Sequence, residues 1–200
     1  MVLDIGLCLA FILQHTGIIR IHAKRKLLPK RIFKAVFSIS SGIILLTLIA
    51  LWQESPFLIA SADGFFRELL RVIFFVGVVG QIWTMVSLIS VDPFGVQALL
   101  EHPNPTTEPT PTVITKGAYG WVRHPAYFTI LLLIWGYPDL TADRLLLNLL
   151  FTLWIIVGTI FEERDLVELF GEDYRVYQRT VPMLIPYRIP VRSKTQIIDK

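Results

Sequence analysis

The sequence predicts an all-α integral membrane protein with about five transmembrane helices and an amphipathic C-terminal helix. Three observations carry that prediction. Of 200 residues, 54% are hydrophobic and mean hydropathy is +0.59, whereas soluble domains average about 45–50% even with glycine counted. Apolar runs recur along the chain. Basic residues gather in alternate connections.

A spanning helix needs about 20 mostly apolar residues. Runs at 2–19, 33–52, 69–91 and 145–161 approach or meet that length, and a shorter one lies at 126–137. The first has no basic lead-in, carries Asp4 at its start and lacks a small-x-small cleavage pattern, so it reads as a retained span and not a signal peptide. Backbone groups in lipid must pair within their own segment, which makes these runs helices. Gly77-Val78-Val79-Gly80 in the third run suits close approach of a neighbouring helix; with no strand before it, it does not read as a phosphate loop.

Lys and Arg set the orientation. Sixteen fall in the connections after the first and third runs and in the tail, and three, Arg67, Arg71 and Arg144, fall on the other side. This predicts an N-terminus outside and a C-terminus in the cytoplasm, in the inner membrane if the source is bacterial. The net charge of +3 is too weak to argue for nucleic acid. The single cysteine, Cys8, cannot form an internal disulfide, and no Cys/His spacing resembles a metal site. The chain reads as one domain in three parts: a three-span region 1–91, a proline-rich cytoplasmic loop 92–125, and a helical hairpin with an amphipathic segment, 126–200. The loop fits either a flexible connector or a lid over a pocket.

The chemistry-bearing residues converge at one membrane face. Proline suits the first turn of a helix, so Pro125 places His124 near an N-cap with Arg123 just outside it. A helix N-terminus attracts anions, which makes this end a cradle for a carboxylate. The turn at 138–144 folds the last two spans antiparallel, bringing Arg123 and His124 near Glu162 and Glu163. Cations and a helix N-terminus face two carboxylates, an arrangement suited to a zwitterion that also carries a positive centre. Beyond Glu163, Leu166, Leu169, Phe170, Tyr174 and Tyr177 recur at helical spacing, interrupted by Gly171, as in an amphipathic helix lying on the membrane and walling the pocket. Taken singly, Arg123 also fits a positive-inside anchor, Glu162 and Glu163 fit solvated charges, and Tyr119, Trp121 and Tyr127 fit an interfacial aromatic belt. His15, beside Gln14 in the first span, fits either an interhelical hydrogen bond or a functional group. Gln81 is similarly ambiguous, and Asp92 before Pro93 fits a turn or cap.

"GAYGWVRHPAYF" at 117–128 and "EERDLVELFGEDYRVYQRTVPMLIP" from 162 together resemble the integral-membrane methyltransferases, which include the isoprenylcysteine carboxyl and phospholipid N-methyltransferases. The resemblance covers about residues 111–186. In the first half, "LQHTGIIRIHAKRK" and "SLISVDPFGVQAL" resemble the methanethiol S-methyltransferase branch. The resemblance implies S-adenosylmethionine as methyl donor, with contacts at Thr112, Val113 and Ile114, at Tyr119, at His124, Pro125 and Tyr127, and at Glu162; Arg123 joins them as the carboxylate cradle. Two departures stand out. The carboxyl methyltransferases carry a histidine where this chain has Pro111, and an arginine where it has Gly158. The missing cation favours an acceptor without a carboxylate, such as a small or lipophilic thiol entering from the membrane lipid. A thiol must lose its proton, and Glu163, His15 and Asp92 are the candidate bases. A prenylcysteine or phospholipid acceptor, and a non-enzymatic sensor or assembly protein on the same frame, are the rival readings.

Overall fold

The computed structural model describes residues 2–25, 29–89 and 112–188. Helix α1 (Val2–Arg25) and helix α2 (Lys30–Ala50) pack side by side. Strand β1 (Leu58–Ser61) follows, then helix α3 (Gly64–Leu88), a 3-10 turn (Gly117–Gly120) and helix α4 (Pro125–Trp135). Strand β2 (Asp139–Thr141), helix α5 (Ala142–Phe170) and helix α6 (Glu172–Thr180) complete the chain.

Four of these helices, α1, α2, α3 and α5, are long and apolar enough to cross a membrane. Large apolar side chains line their outer faces uncovered: Ile39 and Ile49 are each 63% exposed and Val79 is 66% exposed. Water would not tolerate such faces on four neighbouring helices, and hydrocarbon does. The protein is an all-α integral membrane protein. The helix in the run expected as a fourth span is shorter than the other four. With 11 residues, α4 extends about 16 Å, roughly half the hydrocarbon thickness. It begins at Pro125, whose missing N–H costs nothing in a first turn, and ends before Gly136.

Two further differences from the sequence reading concern connections. The turn at 138–144 contains β2, which pairs antiparallel with β1 in the register Leu58↔Thr141, Ala60↔Leu140 and Ser61↔Asp139. The partner strand lies some 80 residues earlier in the chain, so no local periodicity marks the pair. The amphipathic segment does not start after Glu163. No glycine or proline stands between Phe161 and Phe170, so α5 runs on to Phe170. Gly171 (φ +61°) then breaks the chain and α6 begins.

Helices α3 and α4 make the tightest contact. A methyl group added at Gly80 would stand 2.6 Å from Thr129 Cγ2, so only glycine allows this approach. Thr129 Oγ1 also hydrogen-bonds Gln81 across the same contact, which gives Gln81 a packing role. Cys8, Phe11, Leu48 and Phe151 form a core shared by α1, α2 and α5. Gln14 Nε2 donates to Ser40 Oγ at 2.8 Å and ties α1 to α2. Trp154 Nε1 donates to Thr16 Oγ1 at 2.9 Å and ties α5 to α1. At the strand end of the bundle, Asp143 accepts from Trp52 Nε1 at 2.8 Å and from the Ser55 amide at 3.2 Å.

Candidate active site

The start of α4 and the end of α5 meet at the end of the bundle opposite the strands. His124 is the residue capping α4, and its ring is set by Glu163. Nε2 donates to Glu163 Oε1 at 2.7 Å, because a carboxylate can only accept. In the neutral ring that leaves Nδ1 as an acceptor, 3.7 Å from Glu162 Oε2. Arg123 meets the same Glu163 side-on: Nε donates to Oε1 at 2.9 Å and Nη2 to Oε2 at 2.6 Å. Its Nη1 donates to the carbonyls of Gln178 at 3.0 Å and Val181 at 2.6 Å. Tyr174 Oη donates to Glu163 at 2.8 Å and Gln178 Nε2 at 2.7 Å. Glu163 is thus the hub that fastens α4, α5 and α6. The chain after α6 adds a backbone seam: the amides of Arg123 and His124 donate to the carbonyls of Pro182 and Met183 at 2.8 and 3.1 Å.

These contacts leave a cleft of about 360 Å³ in front of the hub. Thr112, Val113, Ile114, Tyr119, Arg123, His124, Tyr127 and Glu162 all line it, and Leu166, Phe170, Tyr174 and Tyr177 close its far wall. Its volume falls in the usual range for small-molecule sites, about 300–1,000 Å³. Burial, reinforced by the charge of Glu162, pushes the Tyr119 hydroxyl up to about 12. Burial likewise raises that of Tyr177, which donates to the Tyr119 carbonyl at 2.6 Å. Both rings therefore stay neutral at physiological pH. Glu162, whose side chain is 46% exposed, is the carboxylate facing the cleft.

Several expected residues take other positions. Arg123 lines the cleft, but its charge is matched by Glu163, so it offers no unpaired positive charge to a ligand carboxylate. The N-terminus of α4, flanked by His124, Ala126 and Tyr127, is the remaining anion-attracting feature there. Pro125 faces the opposite side and lines an apolar groove of about 450 Å³ between α3 and α4. Glu163 sits behind the cleft wall, with four side chains donating to it, and is not placed as a free base. His15 is outside the cleft, linked to it through Trp154 and Tyr127. Asp92 lies outside the described residues. The sequence reading missed Gln178. Its signal was its place four residues after Tyr174, on the same face of a helix.

The family model for phospholipid methyltransferases matches residues 70–173. The methanethiol S-methyltransferase of Pseudomonas deceptionensis is 33% identical over 191 residues, covering 93% of this chain and 72% of that protein. The Mycobacterium tuberculosis methanethiol S-methyltransferase is 30% identical over 195 residues, covering 93% of this chain and 78% of that protein. A shorter match joins the chain to the Homo sapiens protein-S-isoprenylcysteine O-methyltransferase, 31% identical over 86 residues, covering 39% of this chain and 28% of that protein. No solved structure matches. With the family model matched over more than half of the chain and relatives aligned along more than nine-tenths of it, the chain belongs to the phospholipid methyltransferase family and is a membrane methyltransferase.

Proposed function

We propose that the protein transfers a methyl group from S-adenosylmethionine to a small or lipophilic thiol resembling methanethiol, with the cleft at the cytoplasmic face. The observation that carries this reading is the donor set of the cleft. Glu162 and His124 Nδ1 offer a carboxylate and an acceptor to an ammonium or sulfonium. Tyr119, Tyr127 and Phe170 offer rings to a purine and to a cation. The N-terminus of α4 suits a carboxylate. S-adenosylmethionine carries each of these groups, and it would supply an activated methyl on a cationic sulfur. Thr112, Val113 and Ile114 would cover it.

The thiol reading rests on the relatives named for methanethiol and on Gly158. The carboxyl methyltransferases that the sequence resembles carry an arginine at this position, and Gly158 offers no cation to a carboxylate acceptor. The chain's contribution is alignment and exclusion of water. The basic residues at the cleft end of the bundle support a cytoplasmic side for that end.

Calorimetric titration of the detergent-purified protein with S-adenosylmethionine is the direct test. Saturable one-to-one binding is expected, weakened at least tenfold in Glu162→Ala. Incubation with labelled donor and alkyl thiol, prenylcysteine and phosphatidylethanolamine acceptors should label the thiol. No binding, or label in the lipid alone, would overturn the proposal.

A further inference from the structure

Deeper in the bundle, His15 stands in a box of rings. Phe11 stacks on it at 5.3 Å, Phe37 tilts over it at 4.8 Å and Trp154 meets it edge-on at 5.5 Å, centroid to centroid. Its polar neighbours on α1 are engaged elsewhere: Gln14 with Ser40, and Thr16 with Trp154 Nε1. His15 Nδ1 is buried and has no hydrogen-bond partner among the described residues. Buried polar atoms are rarely left so without a use.

The box adjoins the cleft through packed rings. Trp154 is edge-on to His15 and also to Tyr127, the latter at 6.1 Å, and Tyr127 stacks on His124 at 5.8 Å. Along α5, Trp154 lies eight residues before Glu162, or about 12 Å, a length comparable to an extended nucleoside–amino acid conjugate. A ligand anchored at Glu162 and passing Tyr127 would have its inner end toward Trp154.

We infer that this box is the acceptor subsite and that His15 Nδ1 receives the thiol proton. The inference rests on the methyl-transfer reading above. Sulfur packs favourably against aromatic rings, the box walls suit a short alkyl chain, and an S–H donor needs an acceptor. A carboxylate would find no cation among the three rings. In the step, the S–H bond breaks and its proton passes to Nδ1. The sulfur electron pair forms the new carbon–sulfur bond, while the sulfonium carbon–sulfur bond breaks with its pair kept by the leaving thioether. One positive charge is lost at the sulfonium and one is gained at the imidazole, so the apolar interior sees no net change in charge.

The chain has four histidines, so nitrogen-15 histidine labelling resolves them. Full-length protein saturated with S-adenosylhomocysteine is titrated with ethanethiol. The His15 imidazole signal, identified by its absence in His15→Phe, should shift saturably while the His124 signal holds still; an unmoved His15 signal overturns the inference. His15→Phe should retain donor affinity within twofold and lose about 100-fold in kcat with methanethiol. His15→Asn, which keeps an acceptor but no base, should recover ethanethiol binding and not kcat. Wild-type kcat in either variant overturns the inference. If the wild-type protein fails to bind S-adenosylmethionine, the cofactor reading is what fails.

Discussion

Arg123 and Glu163 form a side-on ion pair, at 2.9 and 2.6 Å, in which each side chain is only 9% exposed. Removing one partner of such a pair strands a buried charge, at a cost of about 3–5 kcal/mol. Arg123→Met and Glu163→Leu should therefore each lower the thermal midpoint of the detergent-solubilised protein sharply. The double variant should regain the part of the loss that comes from the unpaired charge, while His124, Tyr174 and Gln178 stay without their acceptor. A double variant no more stable than the singles would show that the other hydrogen bonds of Arg123 and Glu163, not the charge pair, hold the seam.

In the proposed site, Glu162 would serve binding and not folding. Its side chain is half-exposed and it faces the cleft, and an exposed charge contributes little to stability. Glu162→Gln should leave the thermal midpoint of the ligand-free protein within a degree or two and reduce S-adenosylmethionine affinity at least tenfold, as measured by calorimetry. Unchanged affinity would remove Glu162 from the site.

The contact of Gly80 with Thr129 offers a test by rescue. Gly80→Ala places its methyl 2.6 Å from Thr129 Cγ2, and overpacking of this kind costs about 1–3 kcal/mol. Thr129→Ser removes that methyl and keeps the hydroxyl that bonds Gln81. The pair Gly80→Ala/Thr129→Ser should recover stability relative to Gly80→Ala alone, read as thermal midpoint against the two single variants.

Alkaline pH should loosen the cleft. Burial, then the Glu162 charge, holds Tyr119 at about 12 in the folded protein, against about 10 in an unfolded chain. The folded state binds this proton more tightly. The resulting stability is fully present below pH 10 and is lost as pH rises from about 10 through about 12. Thermal midpoints measured across that window should fall less steeply in Tyr119→Phe, which keeps the ring and cannot ionise.

How far the sequence revealed this molecule depended on range. Helices α1, α2, α3 and α5 were legible because twenty apolar residues in a row have few other uses. The meeting of His124 with Glu163 was legible too, since an antiparallel hairpin leaves its two open ends together. Hidden were the bonds joining Arg123 to the Gln178 and Val181 carbonyls, because a backbone acceptor has no residue-type signature. The β1–β2 pair was hidden for a similar reason: Ser61 and Asp139 meet across 78 positions. The continuation of α5 to Phe170 could have been read from the absence of glycine or proline between Phe161 and Gly171.

Glu162 and Glu163 are neighbours in the chain, yet one turns toward the cleft and the other toward the bolts of the fold. One residue of an α-helix is a rotation of about 100°. The phase of α5, counted from Trp154 against Thr16, thus decides which glutamate does which task. Evolution can exchange side chains along this helix one at a time, but a single-residue insertion between Trp154 and Glu162 would swing Glu162 off the cleft and Glu163 off Arg123 together. In this protein the spacing itself is part of the proposed site, and length variation should be confined to the connections.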